Sequence, residues 1–280
     1  MNALEWKGLE KHYGDFTLGP LNLTLPSGTI LGLIGENGAG KTTTIRLILD
    51  MIARDGGTVT IYGKDNRESF PSGRDDIGVV LDEVGFSACL NAKEIGKILR
   101  GMYRNWDQAV YEGYLARFNL PMDKKFKDYS LGMKKRLAIA TALSHHAKLL
   151  VLDEPTSGLD PVARDEMVSV FSEFTRDEGH AVLISSHIVS DLEKLCDYIA
   201  FLHKGQLLLY EEKDRMYEDY ALVRCAPEEL TAIAPAAILG KRETPYGAEV
   251  LLRRADVPAG VEAGRVDVEE LFVLMAKGAK

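Results

Sequence analysis

The 280-residue chain predicts an α/β fold. A mostly parallel core sheet is expected, with an N-terminal antiparallel β part, a helical insert and a small C-terminal α+β extension. Three observations carry that expectation. The apolar run Thr29 to Ile34 leads into Gly35-Glu36-Asn37-Gly38-Ala39-Gly40-Lys41-Thr42 and then into a helical stretch, Thr43 to Met51. A second apolar run, Leu149 to Leu152, ends on the acids Asp153 and Glu154. Between residues 129 and 210 strand-like and helix-like segments alternate, the pattern of parallel strands joined by crossover helices.

The elements follow in chain order. Residues 1 to about 28 and 56 to 82 hold short β-like runs broken by the turn formers Tyr13-Gly14-Asp15, Pro26-Ser27-Gly28 and Asp55-Gly56-Gly57, which read as hairpins of an antiparallel sheet. The glycine-rich segment after Ile34 is a phosphate-binding loop. Its glycines let backbone N–H groups curl around phosphates, Lys41 reaches the β- and γ-phosphates, and the Thr42 hydroxyl ligates Mg²⁺. The following helix puts its N-terminus against the same anion. ATP and Mg²⁺ are the implied ligands.

From about residue 84 to 128 no strand pattern survives, while Asn91 to Tyr103 and Asp107 to Phe118 carry apolar residues at helical spacing. The helical insert spans about 84–145, ending with a helix through Met133 to Ser144. A strand at Lys148 to Leu152, a helix at Pro161 to Glu178 and a strand at Ala181 to Ile184 follow. Asp153 is placed to hold the Mg²⁺ shell and Glu154 to orient an attacking water. Past residue 211 the charged stretch Glu211 to Arg215 marks a change of composition. Strands are expected at Ala221 to Cys225, Ala237 to Thr244 and Ala248 to Arg254, with a Pro245-Tyr246-Gly247 turn and a last helix near Val266 to Lys277. The division is therefore 1–210 and 211–280, the latter reading either as a module that steadies an assembly or regulates it, or as a passive cover over apolar surface of the first part.

Against 34 Lys and Arg stand 42 Asp and Glu, a net charge of −8, which argues against nucleic acid as a partner. No stretch approaches the roughly eighteen consecutive apolar residues of a membrane span, and the start lacks a basic region followed by an apolar one, so a cytoplasmic location is expected. Cys89, Cys196 and Cys225 lie far apart without metal-type spacing and read as reduced thiols.

Together these residues resemble the nucleotide-binding subunits of ABC transporters, over residues 1 to about 210. Asp153-Glu154-Pro155-Thr156-Ser157-Gly158-Leu159-Asp160-Pro161 joins that family's Walker B acids to its D-loop, Ser157 to Asp160. Ile184-Ser185-Ser186-His187 looks like the strand that ends in the family's switch histidine, and Tyr129-Ser130-Leu131-Gly132-Met133 stands where the family has its signature. The resemblance implies a RecA-like core and nucleotide contacts from Gly35, Asn37, Gly38, Ala39, Gly40, Lys41, Thr42 and Thr43. It implies Glu154 and His187 as catalytic, Thr42 and Asp153 as Mg²⁺ ligands, and Tyr13 against adenine. Tyr13 reads equally as core packing, and Ser130 as a helix N-cap. It further implies that Ser130, Leu131, Gly132 and Met133 complete the site of a second copy or a homologous subunit packed head to tail.

Two positions depart from the usual pattern. Leu131 and Met133 replace the usual Gly and Gln, which is similar to exporter-type members that pair with membrane subunits for peptides, antibiotics or lipids. Where the family has a glutamine after the strand Ile77 to Leu81, this chain has Asp82, either a charged Mg²⁺ ligand or a cap of its own loop. The implied whole is a motor on the cytoplasmic face of the membrane, driving a separate permease docked at the insert, where Phe86 and Leu90 are expected to be exposed. The alternative is a member that signals mechanically to a membrane partner without moving cargo. Ribosome-acting and DNA-repair relatives carry paired nucleotide domains or long coiled coils, which this sequence lacks.

Overall fold

The computed structural model describes residues 1–69, 74–226, 230–245 and 247–279, so Tyr246 of the expected tail turn lies outside the described residues. The chain opens with β1 (Asn2–Tyr13) and β2 (Phe16–Pro26), paired antiparallel across a turn in which Gly14 has φ 44°. With β4 (Gly56–Ile61) and β5 (Lys64–Asp65) they form a sheet of order β2-β1-β4-β5. Its inner face is closed by Leu4, Trp6, Leu9, Leu21 and Leu25.

The main sheet runs β10-β9-β3-β8-β7-β6. Its central strands β3 (Ile30–Ile34), β7 (Leu149–Asp153) and β8 (Ala181–Ser186) are buried at every residue. That is why they read as unbroken apolar runs, since parallel strands are covered on both faces. β9 (Tyr198–His203) is parallel to β3, and β10 (Gln206–Glu212) closes the edge antiparallel to β9.

One strand belongs to a different sheet than the sequence suggests. β6 (Ile77–Val80) lies in the 56–82 stretch assigned to antiparallel hairpins, yet it pairs parallel with β7. The reason is packing: an added Cβ at Gly78 would stand 2.6 Å from the Ala142 carbonyl oxygen, so the strand is fitted against a helix.

The helices begin where capping side chains stand. α1 (Lys41–Ile48) follows the phosphate-loop motif, and a single turn, α2 (Asn66–Ser69), follows β5. In the insert α3 (Ala92–Met102) starts in an Asn91/Glu94 capping box, α4 (Gln108–Arg117) on Asp107 and α5 (Leu131–Leu143) on Ser130. α6 (Pro161–Phe174) starts on Asp160 with Pro161 in its first turn, and α7 (Val189–Leu195) follows β8. α6 stops short of Glu178 because Asp177 turns the chain, accepting from Gly179 N–H at 2.9 Å while its carbonyl takes His180 N–H at 2.9 Å. Phe86 and Leu90 are not the exposed pair expected. Both are half-buried against the core, Phe86 edge-on to Phe126 at 5.7 Å, and the exposed apolar residues of the insert helices include Ile98 and Met102.

Beyond β10 come α8 (Lys213–Asp219), β11 (Tyr220–Cys225), β12 (Gly240–Thr244), β13 (Gly247–Arg253), β14 (Ala263–Gly264) and α9 (Val268–Gly278). The strands make a third sheet of order β12-β13-β11-β14. α9 starts in an Asp267/Glu270 capping box. Met216, Leu222, Leu251, Leu271 and Leu274 join one apolar core with Ile199 and Phe201 of the main sheet, and Phe272 meets Phe201 at 5.3 Å. The opposite face of β11 and β13 closes a smaller core of Val223, Ile233, Val250 and Leu252.

Candidate nucleotide site

The ends of β3, β6 and β7 converge on one crevice of about 320 Å³, lined by Phe16, Glu36, Asn37, Gly38, Gly40, Lys41, Thr42, Thr43, Asp82 and Glu154. It lies at the carboxyl ends of parallel strands, where such sheets bind ligands. The loop that forms it depends on glycine. Gly38 and Gly40 have φ 82° and 111°, and a Cβ at Gly40 would stand 2.6 Å from Leu18 Cδ1. α1 begins at Lys41, so its free N–H groups face the crevice with the positive end of the helix dipole. A larger crevice, about 1100 Å³, opens beside Tyr62, Lys148 and Gly179, but none of the motif residues lines it.

Lys41, only 6% exposed, donates to the carbonyl oxygens of Gly35 at 2.6 Å and Glu36 at 3.4 Å, and lies 3.4 Å from Glu154 Oε1. Thr42 Oγ1 donates to Asp153 Oδ2 at 2.8 Å, and Ser185 Oγ donates to Asp153 Oδ1 at 2.6 Å. Both oxygens of this buried carboxylate are therefore engaged and its orientation is fixed. Glu154 has a left-handed backbone, φ 49°. Its Oε2 lies 2.7 Å from His187 Nδ1, and the two residues come together from the ends of adjacent strands. A hydroxyl and a carboxylate within 2.8 Å are hard oxygen donors suited to Mg²⁺, which is held by one or two carboxylates together with substrate phosphates.

The signature and the D-loop meet each other rather than the crevice. Ser130 caps α5 by accepting from Met133 N–H at 3.2 Å. The ideal Cβ of Gly158 would lie 2.8 Å from Leu131 Cδ2, and that of Gly132 3.2 Å from Leu159 Cδ2. Leu131 is 55% exposed. Asp160 caps α6, and the Ala163 and Val162 N–H groups hold its carboxyl below the usual carboxylate range. Ser157 N–H returns to the Glu154 carbonyl at 3.3 Å, so the D-loop starts as a turn off the end of β7.

Three residues here carried no signal in the sequence reading. Tyr13, expected against adenine, stands exposed at the end of β1 with Lys11 Nζ 5.4 Å from its ring centre, whereas Phe16 lines the crevice. Ser185 orients Asp153. Lys135, buried on α5, donates to Asp82 Oδ1 at 3.0 Å and to the Glu154 carbonyl oxygen at 2.5 Å. A serine at a strand end or a lysine on a helix has no local pattern that announces such contacts.

The sequence pattern of the family described as ABC transporter matches residues 18–157. The chain belongs to the ABC transporter family. It is 37% identical over 209 residues to a bacitracin transport ATP-binding protein of Enterococcus faecalis, covering 74% of this chain and 68% of that protein. It is 33% identical over 270 residues to an uncharacterized ABC transporter ATP-binding protein of Bacillus subtilis, covering 93% of this chain and 87% of the relative. A solved structure of the ATP-binding subunit of an ABC transporter superposes with TM-score 0.71 at 27% identity, covering 77% of this chain and 92% of that one. The protein is thus an ATP-binding ABC ATPase subunit, with the mostly parallel P-loop core that the sequence predicts. Among the described residues, no helix of this ABC subunit is long and apolar enough to cross a membrane.

Proposed function

We propose that this ABC subunit is the motor of an exporter, closing head to tail with a second copy or a homologous subunit around two ATP and driving a separate permease from the cytoplasmic face. The meeting of Lys41, Thr42 and Glu154 on one crevice, with Asp153 bonded to Thr42 and His187 to Glu154 behind them, carries this reading. Lys41 neutralises the phosphates, with backbone N–H groups of Gly38 to Thr43 closing around them. Thr42 and Asp153 would hold Mg²⁺, which supplies positive charge where phosphoryl transfer concentrates negative charge. Glu154 orients the attacking water and accepts its proton as the γ-phosphoryl group leaves ADP. His187 holds the carboxylate in that direction, and as the switch histidine it would contact the γ-phosphate.

The signature, with Ser130 and Leu131 exposed, and the D-loop beside it form a surface for the opposite subunit's nucleotide. Tyr13, Phe16 or both bound the adenine end. The likeness to a bacitracin transport protein and the Leu131 and Met133 variants favour a peptide antibiotic or a similar amphipathic molecule as cargo. Residues 211–280 form an extension that covers the α7 side of the main domain, and Ile98 and Met102 on the insert are the apolar contacts for the permease.

Proteoliposomes holding this chain and its permease partner test the reading. ATP should drive bacitracin-type peptide across the membrane with the parent and not with Lys41→Ala. ATP hydrolysis that proceeds without movement of peptide, antibiotic or lipid would exclude the exporter assignment.

A further inference from the structure

Lys135 is the one charged side chain of α5 that is buried outright, 1% exposed, and it stands inside the site rather than on the helix surface. A buried ammonium without partners is costly, so its two contacts hold what they touch. One is Asp82 Oδ1 at 3.0 Å, on a residue that lines the nucleotide crevice directly after β6. The other is the backbone carbonyl oxygen of Glu154 at 2.5 Å. The opposite side of the same residue is held as well, because Glu154 N–H donates to the Ser185 carbonyl at 3.1 Å and to Ser185 Oγ at 3.2 Å.

Glu154 needs such a clamp. Its φ of 49° lies in the left-handed region, which a residue with a Cβ adopts only where its surroundings impose it. That turn aims the carboxylate back at Lys41 and His187 instead of along β7. Lys135 fixes the carbonyl side of the turn, and through Asp82 it fixes the rim of the crevice to the same point.

We propose that Lys135 is a positioning residue for ATP hydrolysis, setting the left-handed Glu154 turn and locking Asp82, Glu154 and the signature helix into one rigid unit. Because Ser130 caps the helix that carries Lys135, a displacement of the signature by the opposite subunit reaches Glu154 through this lysine. Asp82 then acts through Lys135 rather than as a free carboxylate on the metal. The proposal rests on Glu154 being the hydrolytic carboxylate, and its test separates the two claims.

The test is a cycle of Lys135→Met, Glu154→Gln and the double variant, with folding checked by thermal melting and hydrolysis followed with γ-labelled ATP. Lys135→Met should lower kcat about 10- to 100-fold, as a misplaced catalytic group does, while ATP affinity changes less than about 3-fold. In the Glu154→Gln background the same change should cost little more, since the group it positions is already gone. If Lys135→Met does not fold, Lys135→Gln, which keeps a donor for the carbonyl, replaces it and should give a smaller loss with the same non-additivity. A folded Lys135 variant that turns over at the parental rate overturns the proposal, as does a loss that multiplies in full on Glu154→Gln. Parental hydrolysis by Glu154→Gln itself would instead remove Glu154 from its assigned role.

Discussion

Glu154 sits where three side chains meet, with Lys41 at 3.4 Å, His187 at 2.7 Å and the Lys135 ammonium on its own carbonyl. The phosphate loop was legible because its chemistry is local: glycines that must turn left-handed, a lysine and a hydroxyl stand in one short run, and the backbone itself makes the cradle. Asp153 and Glu154 were legible for a similar reason, as acids ending a buried strand. Lys135 was not, because its partners Asp82 and Glu154 lie 53 and 19 residues away and no periodicity links them. Phe16 was missed because it opens β2 immediately after the Tyr13-Gly14-Asp15 turn, where sequence alone does not decide which ring faces the loop. The pairing with Lys135 gives Asp82 a definite expectation. Asp82→Ala should reduce kcat by about 10-fold through loss of positioning, with the Mg²⁺ concentration for half-maximal hydrolysis unchanged. A several-fold rise in that concentration would make Asp82 a direct ligand instead.

At the level of elements, most helix starts were readable, though only Ser130 was read as a cap, and the contacts between elements were not. Ser130, Asp107, Asp160 and Asp267 each start a helix where a short polar side chain meets an apolar run. The assignment of β6 failed because its run, Ile77 to Val80, has no mark that separates a hairpin strand from a parallel one. α5 packs on it through Gly78, and His145 ties the two together with its ring nitrogens 3.1 Å from the Thr141 and Ile77 carbonyl oxygens. Tyr103 stacks on the ring at 4.1 Å. Burial pushes the His145 imidazole below its usual value of 6.5. The folded state therefore binds this proton less tightly than the unfolded chain, and stability falls as pH drops below that value. Melting temperature should fall between about pH 7 and 5.5, and His145→Gln should flatten that slope. Parallel slopes in parent and variant would show that other groups set the acid sensitivity.

For the molecule as a whole, the extension is more than a tail. Three of its four strands were foreseen from their turn residues, two of them within one position, while Ala237 lies in a 3₁₀ turn so that the third starts at Gly240, and the short β14 at Ala263–Gly264 was not expected. The union of its core with Phe201 and Ile199 was not visible, since an apolar face gives no address for what covers it. Leu271, 1% exposed in that shared core, should cost about 2–5 kcal/mol when cut to alanine. The loss should appear in a single unfolding transition of the entire chain, and a separate early transition with the main melt unmoved would mean that the extension folds by itself.

The same scale contains the central claim, that two chains close on ATP and part after hydrolysis at Glu154. If ATP touches the phosphate loop of one chain and Ser130 of the other, it makes both contacts only in the closed pair, and such differential contact would shift the equilibrium. Light scattering of Glu154→Gln in ATP and Mg²⁺, run beside a hydrolysis assay, tests this most directly. A cycle that closes on ATP and opens through Glu154 predicts hydrolysis reduced by at least about 100-fold and a dimer that returns to monomer in ADP. Hydrolysis at the parental rate would contradict it.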